Sequence, residues 1–441
     1  MIRQKLFASA VTILLVTLAV PAGGTARQAP QPAPALPRLT VTEAEQLAIR
    51  NNPRISVARL LALAQAQVTR EVRSAEMPTA SANLTAVGAH DGSRITAGAL
   101  NNPIVYNRAA GGLTVSQLIT DFGRTHNLVL SAKSNEKAQL EDERATEMEI
   151  TLTADQAFYQ ALSAQAVLKV AQQTVAQRQD TADEVSALAH QKLRSDLDES
   201  LAAVQLSQAK LLLVDAQNEA QDAMASLNAV LGSETDVQYT LVDETSRTPA
   251  PAPQDPETMV QLAFSQRPDL AALNDTSFAS RQYSKAERDL WMPTVSALAA
   301  GGGTPVRADQ IPSSWYGAAG ANINIPVFNG FLFNARAQEA KLRADAANEQ
   351  VRNMREEIAR DVRTGVLHAQ AAFQRIGVTE EMLKQSNLAL DLAQARYKLG
   401  LSGIVELSQA QLAQTEAEIA YANARYSYQT ALAEVRFQTG Q

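Results

Sequence analysis

From Ala335 to Lys398 the sequence contains no proline, and its only glycines are Gly365 and Gly377. The stretch is rich in Ala, Gln, Glu, Lys and Arg, residues that favour the helix. From about Leu332 to Tyr397 it predicts one helix of roughly 100 Å at ~1.5 Å per residue. An ordinary globular helix has about 11–12 residues. A helix this long needs a packing partner along its length. A turn at Gly400–Gly403 and a return arm from Ile404 to Phe437 supply one. Val405, Leu412, Ile419 and Tyr426 recur every seven residues, the repeat of a coiled-coil seam. Ala410, Ala413, Ala417, Ala420, Ala422 and Ala424 around it suit closely packed backbones.

The first half of the chain carries the same order of signals. Thr42 and Glu45 have capping-box spacing. Pro53 divides a first helix from a second that ends at Met77-Pro78. Strand-like alternation follows at Thr79–His90 and Ile104–Leu118, with a Gly/Ser/Asn-rich loop at His90–Pro103 between. A run without Pro or Gly extends from Arg124 to Ala189, breaks near Arg194–Asp196 and returns to Leu231-Gly232. A linker at 233–255, with a possible strand at Val237–Val242, leads to a second start. There Asp255 is the N-cap and Pro256 opens the helix. Ala263–Pro268 echoes Ala48–Pro53, and Met292-Pro293-Thr294 echoes Met77-Pro78-Thr79, both at an offset of 215 residues. Leu193/Leu399, Leu206/Leu412 and Gln208/Gln414 pair at an offset of 206. The ordered series marks an internal duplication. Repeat 1 spans 39–232, with strands in 79–118 and a hairpin at 124–231. Repeat 2 spans 256–440, with strands in 294–327 and a hairpin at 332–437. The fold class is mainly α with a small β part.

Residues 1–26 read as a cleavable export signal. Arg3 and Lys5 precede an apolar run from Leu6 to Val20, with small residues at Ala22, Gly23, Gly24 and Ala26. The run is short for a span of ~20 residues, and a Pro-rich linker at 27–38 follows. A net charge of −7 argues against nucleic acid as a partner. With no cysteine, a disulfide framework, a thiolate metal site and a cysteine nucleophile are excluded. His90, His126, His190 and His368 form no ligand pattern, and no nucleotide loop or nucleophile motif is present. No metal, cofactor or catalytic residue is expected.

Each repeat offers two strands poor in large apolar residues, and isolated hairpins are unstable in water. Four strands cannot close a barrel, so their edges require other copies. Three copies would supply twelve, and only closed barrels satisfy strand hydrogen bonds in lipid. Trp291, Trp315, Tyr316, Phe328, Phe331 and Phe333 at the strand ends fit an interfacial aromatic belt.

Several stretches resemble the TolC-like outer membrane efflux proteins from about Leu39 to Gly440. Ile325-Pro-Val-Phe-Asn-Gly330 is similar to that family's strand-to-helix turn, and Leu118-Ile-Thr-Asp-Phe-Gly-Arg124 is its first-repeat counterpart without the proline. Arg396-Tyr-Lys-Leu-Gly400 with Leu401, Val405 and Glu406, then Ala422-Asn-Ala-Arg-Tyr-Ser-Tyr428, resembles its second hairpin. The resemblance implies a homotrimer with a 12-stranded outer membrane barrel and a long helical tunnel through the periplasm. It also implies partners: a periplasmic adaptor, an inner-membrane pump of RND, ABC or MFS type, and outer membrane lipid. Such a channel is a passive duct for efflux or type I secretion. One departure is the lack of the N-terminal cysteine that many drug-efflux members carry acylated.

The same resemblance assigns site residues. Glu406 stands where the family lines its closed periplasmic entrance with acidic groups, and three copies would form a negative ring. The family often has a second acidic residue three positions on, where this chain has Gln409. Tyr397 matches a position that hydrogen-bonds across neighbouring helices to hold the entrance shut. Gly400, Leu401, Ser402 and Gly403, with Arg194 and Ser195, form the tips expected to dock the adaptor. Arg194 stands where the family usually has Gly, so the first tip is expected to turn differently. The competing interpretation is a periplasmic or secreted structural coiled coil without a pore. The paired strand segments separate the two, since a structural coiled coil has no need of them.

Overall fold

The computed structural model describes residues 37–90, 107–233, 237–244, 251, 255–306 and 313–441. The export signal, most of the Pro-rich linker, the loop tips at 91–106 and 307–312, and parts of the linker at 233–255 lie outside the described residues. β1 (Arg38–Leu39) leads into α1 (Val41–Asn51) and α2 (Pro53–Arg73). The capping box sits two residues earlier than the spacing of Thr42 and Glu45 implies. Thr40, at φ −92° and ψ 164°, accepts from the Glu43 backbone N–H, and Glu43 accepts from the Thr40 backbone N–H at 2.9 Å. Short β1 holds Thr40 extended, so the helix can start at Val41. Asn52 caps α2, whose first residue is Pro53.

The strands are β2 (Thr79–Val87) and β3 (Arg108–Thr120), then β5 (Thr294–Val306) and β6 (Trp315–Asn324). β5 continues through Gly301–Gly303, which pair with β3 on one side and β6 on the other, to Val306. β6 stops at Asn324, before Pro326, which has no N–H to donate. The two long helices are α3 (Arg124–His190) and α7 (Leu332–Lys398), of 67 residues each. Their return arms are α4 (Asp196–Val230) and α8 (Ile404–Thr439). β4 (Thr240–Leu241) pairs in parallel with β1, and α5 (Pro256–Gln266) and α6 (Pro268–Arg288) open the second repeat.

Each return arm ends in the same way. Gly232 (φ 69°) closes α4 against Asn51, whose side chain donates to the Leu231 carbonyl at 3.1 Å. Gly440 (φ 82°) closes α8 against Gln266, and Arg267 donates to the Gln438 carbonyl at 3.4 Å. A Cβ on Gly440 would lie 2.7 Å from the Gln266 carbonyl carbon, so only glycine fits. The Pro-marked kink of each helix pair is thus the shelf on which its hairpin returns.

Packing follows three parallel rows. The sheet runs β2-β3-β5-β6, antiparallel throughout. Above the equator the helices pack in the order α2, α3, α6, α7, and below it α4, α3, α8, α7. One buried cluster joins α1, α3 and α4 around Phe158 and Leu227, and a second joins α5, α7 and α8 around Val366 and Tyr428. Tyr426 of the α8 heptad pattern is buried, but near the tip the buried stripe lies one position away from that pattern. Val405 and Leu412 are 55% and 51% exposed, while Ile404, Leu407, Gln411 and Gln414 are buried. α8 lies between α3 and α7, so its buried stripe must face both. The Val405–Leu412 stripe is left outward.

Candidate functional site

The two hairpin tips lie at the far end of α3 and α7 from the sheet, and both close by one device. After α7, Gly400 (φ 72°) donates to the Tyr397 carbonyl at 3.0 Å and Leu401 to the Arg396 carbonyl at 2.8 Å. After α3, Lys192 (φ 60°) donates to the Ala189 carbonyl at 2.8 Å and Leu193 to the Leu188 carbonyl at 2.9 Å. This is a left-handed helix C-cap in each case. The first tip therefore does not turn differently. Its left-handed residue is Lys192, and Arg194 occupies the place of Ser402. Ser195 then caps α4 in a reciprocal box with Asp198.

Arg194 joins the tips. Its Nη2 donates to the Tyr397 carbonyl at 3.1 Å, and its guanidinium carbon stands 4.3 Å from the centre of the Tyr397 ring. Tyr397 is 3% exposed and packs with Val185, Ala202, Leu390, Ala393, Ile404 and Leu407. Its Oη is buried and has no hydrogen-bond partner within the protomer. Burial pushes the phenol above the ordinary tyrosine value, against the pull of Arg194. Within one chain the hydroxyl holds nothing; the ring face and the backbone carbonyl hold Arg194.

Glu406 is not a lone carboxylate. Arg396 Nε lies 2.9 Å from its Oε1, with both side chains about half exposed. The pair is neutral overall, which weakens a ring built on Glu406 alone. Gln409 is exposed beside a shallow groove of about 170 Å³ shared with Leu201, Gln205, Val405 and Leu412. Leu193, Leu197, Leu399, Leu401 and Val405 are all exposed around the tips. Together they form one exposed aliphatic patch around the tips.

At the other end, strand register sorts the sheet into two unlike faces. On one, Ala80, Ala82 and Leu84 align with Val115, Leu113 and Gly111, and beyond them Val295, Ala297 and Ala299 align with Ile323, Ala321 and Ala319. On the other, Thr79, Ser81 and Asn83 align with Ser116, Thr114 and Gly112, and Thr294 and Ser296 with Asn324 and Asn322. A mainly apolar face backed by a mainly polar one is the pattern of a transmembrane barrel with a wet lumen; Gln117 falls on the apolar side, and Leu118 and Leu298 on the polar side. Among the described residues no helix is long and apolar enough to cross a membrane. From Trp315 to Asn324 the strand covers ~30 Å, or ~23 Å of height at a tilt of ~40°, close to the ~25 Å apolar band of such barrels.

The aromatics divide accordingly. Trp315 ends the apolar face at the distal rim and is 72% exposed. Trp291 and Phe333 meet edge to face at 5.6 Å at the tunnel junction, as do Phe328 and Phe331 at 5.8 Å. Tyr316 departs from the belt expected of it. It sits on the polar face, across Gly302 and Gly112, where a Cβ on Gly112 would meet its hydroxyl. Strict alternation from Trp315 would have shown this in the sequence.

The model of the family described as "Outer membrane efflux protein" matches residues 45–233 and 259–441. The chain belongs to the outer membrane efflux protein family. It is a channel protein of the outer membrane rather than an enzyme, with its helical tunnel on the periplasmic side. TolC of Escherichia coli (strain K12) is 22% identical over 341 residues, which cover 74% of this chain and 68% of TolC. The Campylobacter jejuni CmeC outer membrane channel superposes with a TM-score of 0.78 at 18% identity, covering 91% of this chain and 85% of CmeC. VceC of Vibrio cholerae gives 0.76 at 19%, covering 91% and 96%. At these identities the structural likeness concerns the fold.

Proposed function

We propose that three copies close head to tail into a tube that serves as the passive exit duct of a tripartite efflux or type I secretion machine. One observation carries this. In all three rows one free end belongs to repeat 1 (β2, α2 or α4) and the other to repeat 2 (β6 or α7). Such rows have unlike ends, so copies join in a heterologous ring. The exposed apolar residues Val57, Leu60, Leu61 and Val68 of α2 and Val204 and Leu211 of α4 would meet Leu342, Val378, Met382 and Leu392 of α7. Two copies would give eight strands, whose lumen side chains fill, and three give twelve with an open lumen. The aliphatic tips then face a periplasmic adaptor, and cargo selection and energy rest with an inner-membrane pump of RND, ABC or MFS type.

The test is the oligomer in outer membrane extracts. A heat-modifiable band and a solution mass of three copies are the expected result, and a stable monomer or dimer would overturn the ring. For the tips, Gly400→Trp should abolish export while the trimer still forms.

A further inference from the structure

On the polar face of the sheet one large side chain lies down. Side chains of a strand normally stand roughly perpendicular to their sheet. Tyr316 of β6 instead runs sideways across two glycines. Register places Asn83, Gly112, Gly302 and Tyr316 in one row, on β2, β3, β5 and β6. A Cβ on Gly302 would lie 2.7 Å from the Tyr316 Cζ. A Cβ on Gly112, two strands from Tyr316, would meet its hydroxyl, with Cζ at 3.0 Å. Glycine inside a strand leaves bare backbone with nothing to pack, and an aromatic ring laid over it covers that backbone. The two glycines serve different ends. Gly302 is required by the backbone as well, since its Cβ would strike the Gly111 carbonyl and stand 2.7 Å from the Gly112 Cα. At Gly112 the nearest backbone atom, the Gly301 carbonyl oxygen, stands off at 3.0 Å, so the main obstacle to a side chain there is the end of the tyrosine. From this row to Asn324 Tyr316 is the largest side chain on the polar face, where the other positions carry Ser, Thr, Ala, Asn, Gly and Leu.

We propose that the Gly112–Gly302 trough sets the clearance of the exit lumen by holding Tyr316 flat against the wall, so that cargo passes over the face of the ring and not around its tip. The inference rests on the closed three-copy barrel proposed above, in which three such rings line the outer part of the bore. Laid down, each ring takes only its own thickness from the lumen. Stood up, it would take its full length, three times over. Tyr316 is 42% exposed, which leaves one side of the ring open to whatever passes.

Impermeant maleimides of graded size, applied to intact cells, read the clearance. Asn322→Cys, the sole thiol of its chain, lies on the same strand and face as Tyr316, ~20 Å nearer the tunnel. The smallest reagent should label it from outside, and the largest that still does so marks the bore. Tyr316→Ala should leave that cutoff where it is, because a flat ring occupies little of the lumen. Gly112→Ala should lift the ring, keep the heat-modifiable band and lose labelling by the larger reagents. Adding Tyr316→Ala to Gly112→Ala should restore the wild-type cutoff. A higher cutoff in Tyr316→Ala alone, an unchanged cutoff in Gly112→Ala, or a double variant that stays narrow would overturn the proposal. If Gly112→Ala loses the band, the Tyr316→Ala result decides. Failure of even the smallest reagent to label Asn322→Cys in the otherwise wild-type chain would overturn the barrel itself, and this inference with it.

Discussion

Removing Arg194 should loosen the closed tips, whereas removing the Tyr397 hydroxyl should not. Arg194→Ala deletes a charged hydrogen bond to a carbonyl at 3.1 Å and a cation–π contact at 4.3 Å. A hydrogen bond to a charged group is worth ~1.5–3 kcal/mol net, and a partly exposed cation–π contact ~0.5–1 kcal/mol. The two share one guanidinium and do not add fully, so ~2 kcal/mol per protomer is a fair figure. Since ~1.4 kcal/mol is a factor of ten, the closed-to-open ratio should fall by ~30-fold for each tip. Tyr397→Phe removes a buried hydroxyl that has no partner in the protomer. That change relieves a desolvation penalty and should leave closure intact or slightly tighter. Single-channel recording in planar bilayers gives the open fraction of each variant. If Tyr397→Phe opens the channel as far as Arg194→Ala does, the hydroxyl meets a donor or acceptor on a neighbouring copy, and the assignment of the latch to the ring and carbonyl is wrong.

Charge at the entrance should respond to both members of the Arg396–Glu406 pair, in opposite directions. Arg396→Gln unmasks the carboxylate and should raise cation selectivity and divalent block, whereas Glu406→Gln unmasks the guanidinium and should shift selectivity toward anions; bilayer recordings in which Arg396→Gln leaves selectivity unchanged would reject the pairing. The two caps should respond oppositely to glycine. Gly400→Ala has open space around its Cβ but keeps the left-handed backbone, and should cost ~1 kcal/mol. Lys192→Gly should gain up to about that amount, both read as shifts in trimer melting. Gly302→Val would drive a side chain into the Gly111 carbonyl and should abolish the heat-modifiable band. Ser313→Cys, the sole thiol of its chain, should react with an impermeant maleimide on intact cells if the β5–β6 turn faces outside; labelling only after outer membrane rupture would invert the topology.

Much of this molecule was legible in one dimension because its long elements are governed by local rules. A run without Pro or Gly over more than sixty residues can scarcely be anything but a helix, and the offset echoes Ala48–Pro53 and Ala263–Pro268 announced the duplication. Alternation of small apolar and small polar residues in Thr79–Val87 and Trp315–Asn324 carried both faces of the barrel sheet. These signals survive without tertiary context because backbone propensity and side-chain period act within a few residues.

What required the fold is every interaction whose partners lie far apart in sequence. Arg194 and Tyr397 are 203 residues apart, and nothing local tells that a tip arginine lies over a distant ring. The Val405–Leu412 heptad looked like the seam, yet α8 is flanked by two helices and buries the neighbouring stripe instead. Asp155 reads in sequence as one more helical carboxylate; only the approach of α8 puts it against Arg436, 281 residues away, and the packing around it strips it of water. Periodicity tells which residues share a face. It does not tell which face another element covers, and burial and charge pairing depend on that.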